Sequence, residues 1–202
     1  MVNSKTVIVG SRASALALAQ TREVIKHLAA RFPELEFQVK KITTQGDIMK
    51  NKPLPEIGGK GLFVKELEIA LLNREIDLAV HSFKDMPTDL SPGLVIGAIT
   101  RREDARDALV SKSGATLEGL PPGAVVGTSS PRRAAQLMIC RPDLEIVSLR
   151  GNLDTRLRKV LDGSLDAAVL AAAGLVRLGW KDKITECLPP EICLPAVGQG
   201  AL

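Results

Sequence analysis

Thr6-Val7-Ile8-Val9-Gly10-Ser11-Arg12-Ala13-Ser14 places a β-branched run, a glycine and a polar turn directly before a helical pattern, and the arrangement returns as Ala124-Val125-Val126-Gly127-Thr128-Ser129-Ser130-Pro131. A short Val/Ile/Thr run bounded by glycine reads as a strand, and Ser or Ser-Pro ahead of an amphipathic segment reads as a helix start. Two further segments repeat in the same order. Pro33-Glu34-Leu35-Glu36-Phe37 is answered by Pro142-Asp143-Leu144-Glu145-Ile146, and Ile76-Asp77-Leu78-Ala79-Val80 by Leu165-Asp166-Ala167-Ala168-Val169. Three matches in sequence imply two lobes of similar topology.

Outward from these anchors, strand character is read at 6–9, 36–42, 77–80, 94–99, 124–126, 145–149 and 166–171, with helical segments at 14–32, 62–72, 131–140 and 154–161. The expected fold class is α/β: two lobes, each a mixed sheet flanked by helices, with a ligand cleft between them. Lobe 1 is expected over 1–99 with 195–202 returning to it, and lobe 2 over 100–194. The first helix is expected to turn Leu18, Ile25, Leu28 and Phe32 to one face. The extra length of lobe 1 includes 49–61, where Pro53, Pro55, Gly58, Gly59 and Gly61 preclude regular structure, so a functional lid is expected there.

Composition narrows the function. The chain has 202 residues, 45% hydrophobic and 25% charged, with a net charge of +4. That excess attracts anions of any kind. Aromatic residues make up 2%, with no Tyr and the single Trp180, so base-stacking platforms are hard to build and nucleic acid is not expected as a partner. Cys140, Cys187 and Cys193 form no C-x-x-C, and His27 and His81 stand apart, so neither a disulfide framework nor a metal site is expected. The chain start has no secretory pattern and no apolar run reaches membrane-spanning length, which makes a cytoplasmic protein the expectation.

The unusual chemistry falls in loops after strands, where open α/β sheets bind ligands and helix N-termini present free N–H groups. Arg12 and Ser14 stand at one helix start. Ser130 reads as an N-cap before Pro131, and Arg132 and Arg133 follow in the first turn. Two cations beside the positive end of a helix dipole are unfavourable unless an anion meets them. Arg150, Arg156 and Arg177 follow further strands or apolar runs. Six arginines so placed suit a ligand with several carboxylates, because a guanidinium pairs with carboxylate through two bonds. Gly58-Gly59-Lys60-Gly61 is no P-loop, since Gly61 stands where Ser or Thr is needed and Leu54 where the first Gly is needed; it is read as a mobile cationic loop. In His81-Ser82-Phe83-Lys84-Asp85-Met86-Pro87, Lys84 and Asp85 arrive together at the ligand edge, and a carboxylate among so many cations is suited to stabilising a developing positive charge.

Several of these segments resemble one family. GSRAS at 10–14, GGKGLFVKELEIALL at 58–72, AVHSFKDMP at 79–87, GTSSPRR at 127–133, LRGNLDTR at 149–156, AAAGL at 171–175 and LPAVGQGA at 194–201 are similar, in order, to hydroxymethylbilane synthases (porphobilinogen deaminases). The resemblance implies two lobes like those of type II periplasmic binding proteins and a third, cofactor-bearing domain that the 202 residues do not include. It implies a monomeric transferase of tetrapyrrole (heme) biosynthesis that condenses four porphobilinogen molecules with loss of ammonia. Its dipyrromethane cofactor would be held covalently on a cysteine of that third domain, so the chain alone is expected to be inactive. By resemblance Asp85 is catalytic. Arg12, Ser14, Lys60, Lys84, Thr128, Ser129, Ser130, Arg132, Arg133, Arg150, Arg156 and Arg177 match positions that bind the acetate and propionate groups of cofactor and growing chain. A two-lobed solute-binding protein would instead carry a secretory signal and have no need of Asp85, and a regulatory ligand-binding domain would carry a DNA-binding helix-turn-helix.

Overall fold

The computed structural model describes residues 5–48 and 64–202. The expected lid at 49–61 and Lys60 lie outside the described residues. The chain divides into two compact units, one of residues 1–101 with 201–202 and the other of residues 102–200.

Unit 1 is built on a parallel sheet of order β2-β1-β3, from β1 (Lys5–Arg12), β2 (Leu35–Ile42) and β3 (Leu78–Ala79). Helix α1 (Ala15–Arg31) connects β1 to β2, while α2 (Gln45–Ile48) and α3 (Lys65–Leu72) precede β3. Val9, Val80 and Leu202 form its buried centre, with Val24, Ile25 and Phe37 packed around them.

The buried line of α1 differs from the apolar stripe expected for it. Ala17, Gln20 and Thr21 are buried, whereas Phe32 is 43% exposed at the helix end. The spacing is helical, but two of the inward residues are polar because they bond inward: Thr21 Oγ1 donates to Ser11 Oγ at 2.8 Å and Gln20 Nε2 to Ser82 Oγ at 2.8 Å. A stripe drawn through apolar residues alone takes in Ile25, which packs on the core, but omits these two polar members.

Unit 2 repeats the same core. β5 (Val125–Gly127), β6 (Glu145–Val147) and β7 (Ala167–Ala171) lie parallel in the order β6-β5-β7, matching β2-β1-β3. Helix α4 (Pro131–Cys140) connects β5 to β6, and α5 (Leu153–Leu161) connects β6 to β7. Two antiparallel strands, β4 (Asp107–Ser111) and β8 (Glu186–Leu188), extend the sheet beyond β7 and make it mixed. A short helix α6 (Ala172–Arg177) follows β7. Leu109, Val126, Leu137 and Val169 centre one buried cluster, and Val110, Leu157, Leu170 and Leu175 another.

The expected strand at 94–99 is not formed. Val95 is 85% and Ile99 55% exposed, and no described strand pairs with the segment. A short continuous apolar run without alternation is weak evidence for a strand, since periodicity alone does not identify one. Among the described residues no helix is long and apolar enough to cross a membrane.

The chain leaves unit 1 after Arg101 and re-enters it at Ala201. On the unit 1 side, the Thr100 N–H donates to the Leu202 carbonyl at 3.1 Å; on the unit 2 side, the Glu103 N–H donates to the Gly200 carbonyl at 3.1 Å.

Candidate functional site

In unit 1 the chain leaves β3 through Val80, His81 and Ser82 into a 3-10 turn, Phe83–Asp85. The turn is fixed at several points. The Asp85 N–H donates to the Ser82 carbonyl at 2.9 Å and the Phe83 N–H to the Ala201 carbonyl at 3.0 Å. Ser82 Oγ takes its bond from buried Gln20 on α1. Lys84 and Asp85 are therefore exposed side chains on anchored backbone. Arg12, the last residue of β1, is half-buried. Burial, then the Arg12 charge, pushes the His81 pKa down to about 4 against the opposing pull of Glu68, so its imidazole is neutral at ordinary pH. Ser14 caps α1, its Oγ accepting the Ala17 N–H at 3.3 Å.

In unit 2 the loop after β5 is tied to the end of β6. The Thr128 N–H donates to the Val147 carbonyl at 2.9 Å, and Thr128 Oγ1 accepts the Ser130 N–H at 3.2 Å. Ser129 Oγ donates to the Leu149 carbonyl at 2.7 Å, which uses its only hydrogen; Ser148 is then the donor in their 3.0 Å hydroxyl contact. Ser130 is the N-cap of α4, its Oγ accepting the Arg133 N–H at 3.4 Å, with Pro131 in the first helical turn. Beside this loop, half-buried Arg150 leads through Gly151, at φ +108°, into α5. Asn152 gives α5 no side-chain cap, and Arg156 Nε donates back to the Gly151 carbonyl at 2.7 Å. Arg177 ends α6 rather than starting a helix, and its Nη2 donates to the Gly200 carbonyl at 2.9 Å.

Arg132 and Arg133 do have an anion, and it is internal. Arg133 Nε and Nη2 reach Asp107 Oδ1 at 3.0 and 2.6 Å, and Arg132 Nη2 reaches Oδ2 at 2.7 Å. Gln199 Nε2 adds a bond to Oδ1 at 2.8 Å, and Cys193 Sγ lies 3.3 Å from Oδ2. Burial works to raise the Asp107 pKa, but Arg133, Gln199 and Arg132 outweigh it and hold the carboxyl below its usual range. Burial, followed by the Asp107 charge, pushes the Cys193 thiol up to about 11, so it faces Asp107 as an S–H donor. Removing one member of such a buried ion pair typically costs about 3–5 kcal/mol, because the survivor is left uncompensated.

Arg12, Ser14, Lys84 and Asp85 thus belong to unit 1, and Thr128, Ser129, Ser130, Arg132, Arg133, Arg150, Arg156 and Arg177 to unit 2. Sequence reasoning missed Asp107, Gln199, Cys193 and Gln20. The available signal for Asp107 was an acid heading the apolar run Ala108-Leu109-Val110, a segment not read as a strand. Among the described residues no group of His, Cys, Asp and Glu is placed to hold a metal ion, and Cys140, Cys187 and Cys193 are free thiols.

A family model described as porphobilinogen deaminase, dipyromethane cofactor binding domain, matches residues 7–202. The chain is 59% identical over 199 residues to the porphobilinogen deaminase of Bacillus subtilis (strain 168), covering 98% of this chain and 63% of that protein. It is 54% identical over 196 residues to that of Desulforamulus reducens, covering 97% and 63%. For Desulforudis audaxviator the identity is 58% over 198 residues, covering 98% and 64%. The chain therefore spans a little under two thirds of the length of these relatives. Among solved structures, a probable amino-acid ABC transporter extracellular-binding protein from Bacillus subtilis aligns at 15% identity over 96% of this chain and 81% of that one, with a TM-score of 0.49.

Proposed function

The chain belongs to the porphobilinogen deaminase family, and from this we propose that the protein condenses four porphobilinogen molecules head to tail into hydroxymethylbilane, with release of ammonia. In each condensation the C–N bond of porphobilinogen's protonated aminomethyl group breaks and ammonia leaves with the electron pair, generating an azafulvenium cation. The free α-carbon of the terminal pyrrole attacks its methylene carbon and then loses its α-hydrogen as a proton. Release of the tetrapyrrole is a hydrolysis: the bond between its first methylene carbon and the first acceptor breaks, and water supplies the hydroxyl to that methylene and the proton to the acceptor's α-carbon. Asp85 is the group we assign to the cation, since a fixed negative charge acts best where positive charge develops and no reorganisation is required.

The observation that carries this reading is the turn itself: an exposed carboxylate whose backbone is held by Ser82, Ala201 and, through Ser82, by Gln20. The donor chemistry also fits the dipyrromethane of the family description. That group, when bound, supplies a covalently held pyrrole as the first acceptor, and its acetate and propionate carboxylates match guanidinium, ammonium and hydroxyl donors. Arg12, Ser14, Lys60 and Lys84 from unit 1, and Thr128, Ser129, Ser130, Arg132, Arg133, Arg150, Arg156 and Arg177 from unit 2, are the residues proposed to hold these carboxylates. The same reading makes the protein a cytoplasmic monomer acting on small molecules.

The test is bilane formation from porphobilinogen by the full-length protein and its Asp85→Asn variant. Asparagine keeps the shape and removes the charge, so turnover is expected to fall by roughly 10²–10³-fold. A wild-type protein inert toward porphobilinogen sinks the reading, whereas near-normal turnover in the variant moves the cation-stabilising role to another group.

A further inference from the structure

We propose that Asp107 is a positioning residue for this reaction: its buried carboxylate sets where the Arg132 and Arg133 guanidiniums stand at the start of α4, and so how Arg132 meets a carboxylate of the substrate. The inference rests on the transferase reading above, and the experiment below separates the two.

Consecutive residues on a helix point about 100° apart, since a turn takes about 3.6 residues. Two adjacent arginines at a helix start would also repel each other and the positive end of the helix. Here they converge, and each takes its own oxygen of one carboxylate: Arg133 takes Oδ1 and Arg132 takes Oδ2. The convergence point is itself fixed. Asp107 heads β4 with no solvent exposure, and its Oδ1 also accepts from Gln199, whose amide donates in turn to the Ala105 carbonyl at 2.7 Å. Arg133 Nη1 donates to the Val169 carbonyl at 2.9 Å, which adds a hold on β7.

The two arginines are not equivalent. The Arg133 side chain is 8% exposed and that of Arg132 28%, so Arg132 is the member that reaches solvent from the anchored cluster. One carboxylate against two guanidiniums leaves the cluster with a positive charge. It still attracts an anion, while Asp107, with no solvent exposure, keeps its oxygens out of an anion's direct reach. This arrangement meets the requirement that a binding group be locked by a supporting layer of bonds before the ligand arrives.

A charge-balancing role and a positioning role predict opposite signs. Asp107→Asn raises the net charge by one and turns an amide N–H₂ toward the donors of Arg132 or Arg133. If Asp107 only balances charge, the variant binds the anionic substrate as tightly or more tightly. If Asp107 positions, the KM for porphobilinogen rises, on the order of 10–100-fold for a displacement near 1 Å, with a smaller change in kcat. The fraction of purified protein carrying the covalent dipyrrole, read by intact mass, is expected to fall in parallel.

The full-length wild-type protein is compared with Asp107→Asn, Arg132→Leu and the double variant. Because Asp107 positions Arg132 as well as Arg133, Asp107→Asn is expected to raise KM less in the Arg132→Leu background than in the wild type, a non-additivity that general loss of structure does not produce. An unchanged or lower KM in Asp107→Asn, or full additivity in the double variant, overturns the proposal. Should Asp107→Asn not accumulate folded, Gln199→Met removes one bond from Oδ1 and is expected to raise KM by roughly threefold, again by misplacement; no change there overturns the proposal too. A wild-type protein inert toward porphobilinogen instead removes the reaction, and this role with it.

Discussion

Asp166 holds Val125 at two points: its carboxylate accepts the Val125 N–H at 2.8 Å, and its own N–H donates to the Val125 carbonyl at 3.0 Å. Asp77 holds Ile8 in the same way, at 2.7 and 2.8 Å. The clip joins the third parallel strand of each unit to its first, one step before the regular ladder begins. Replacing Asp166 with Ala removes one acceptor and leaves the Val125 N–H to solvent, so a loss of about 1 kcal/mol is expected, and less for Asn, which keeps an acceptor. Urea unfolding of Asp166→Ala should show a lower midpoint; an unchanged midpoint means the side-chain half of the clip contributes nothing.

The clip explains why the internal repeat was legible. Ile76-Asp77 and Leu165-Asp166 recur because aspartate is needed to reach back to the first strand, and Gly10 and Gly127 recur because the residue before each aspartate packs onto them. The alternation of strands with helices, the helix starts and the Ser130 cap followed from local pattern. The additions to unit 2 did not: β4 and β8 pair antiparallel outside the repeated core, with no counterpart among the described residues of unit 1. Nor did the Asp107 cluster, because its other members stand 25 to 92 residues beyond Asp107 and share no local signature with it. The positions of Arg132 and Arg133 at a helix start were readable from the sequence; their anion was not, since only tertiary structure brings β4 beneath α4.

The glycine contact carries its own prediction. A Cβ built on Gly127 would lie 2.6 Å from Leu165 Cδ1 and 2.8 Å from Leu149 Cδ2, both on well-buried side chains. Gly127→Ala is therefore expected to destabilise by roughly 1–3 kcal/mol through overpacking. Gly97→Ala, with nothing within 4 Å, serves as the control and should be near neutral. Combining Gly127→Ala with Leu165→Ala should cost less than the sum of the two single changes, since the second removes the closer of the two clashes created by the first. Additive losses would place the strain somewhere other than this contact.

His81 predicts a pH dependence. Burial and then Arg12 lower its folded pKa from 6.5 to about 4. Above the unfolded value both states are neutral and the residue is without effect. Between the two values the unfolded chain binds a proton that the folded chain refuses, so stability falls as the pH drops from 6.5 toward 4 and then levels off. The full loss is on the order of 3 kcal/mol from this group. His81→Gln should remove that part of the acid slope while leaving stability near pH 8 similar. Denaturant midpoints measured for both proteins across the range decide it, and parallel curves would show that other groups set the acid limb.

The arginines separate a carboxylate site from a generally basic surface. Arg150 follows the Leu149 carbonyl that Ser129 binds, on a loop held to β5, whereas Arg31 is exposed in the last turn of α1. If Arg150 pairs with a pyrrole carboxylate as proposed, Arg150→Leu in the full-length protein should block primer assembly or stall chain growth. Arg31→Leu should change little, since an exposed ion pair contributes about 1 kcal/mol or less. Arg150→Lys should rescue only in part, because an ammonium lacks the planar two-bond fork. A merely basic surface predicts small and similar losses at both positions, removed by moderate salt. Intact-mass spectra that count protein carrying one, two or three added pyrroles give the answer for each variant. A wild-type distribution in Arg150→Leu would remove that arginine from the site.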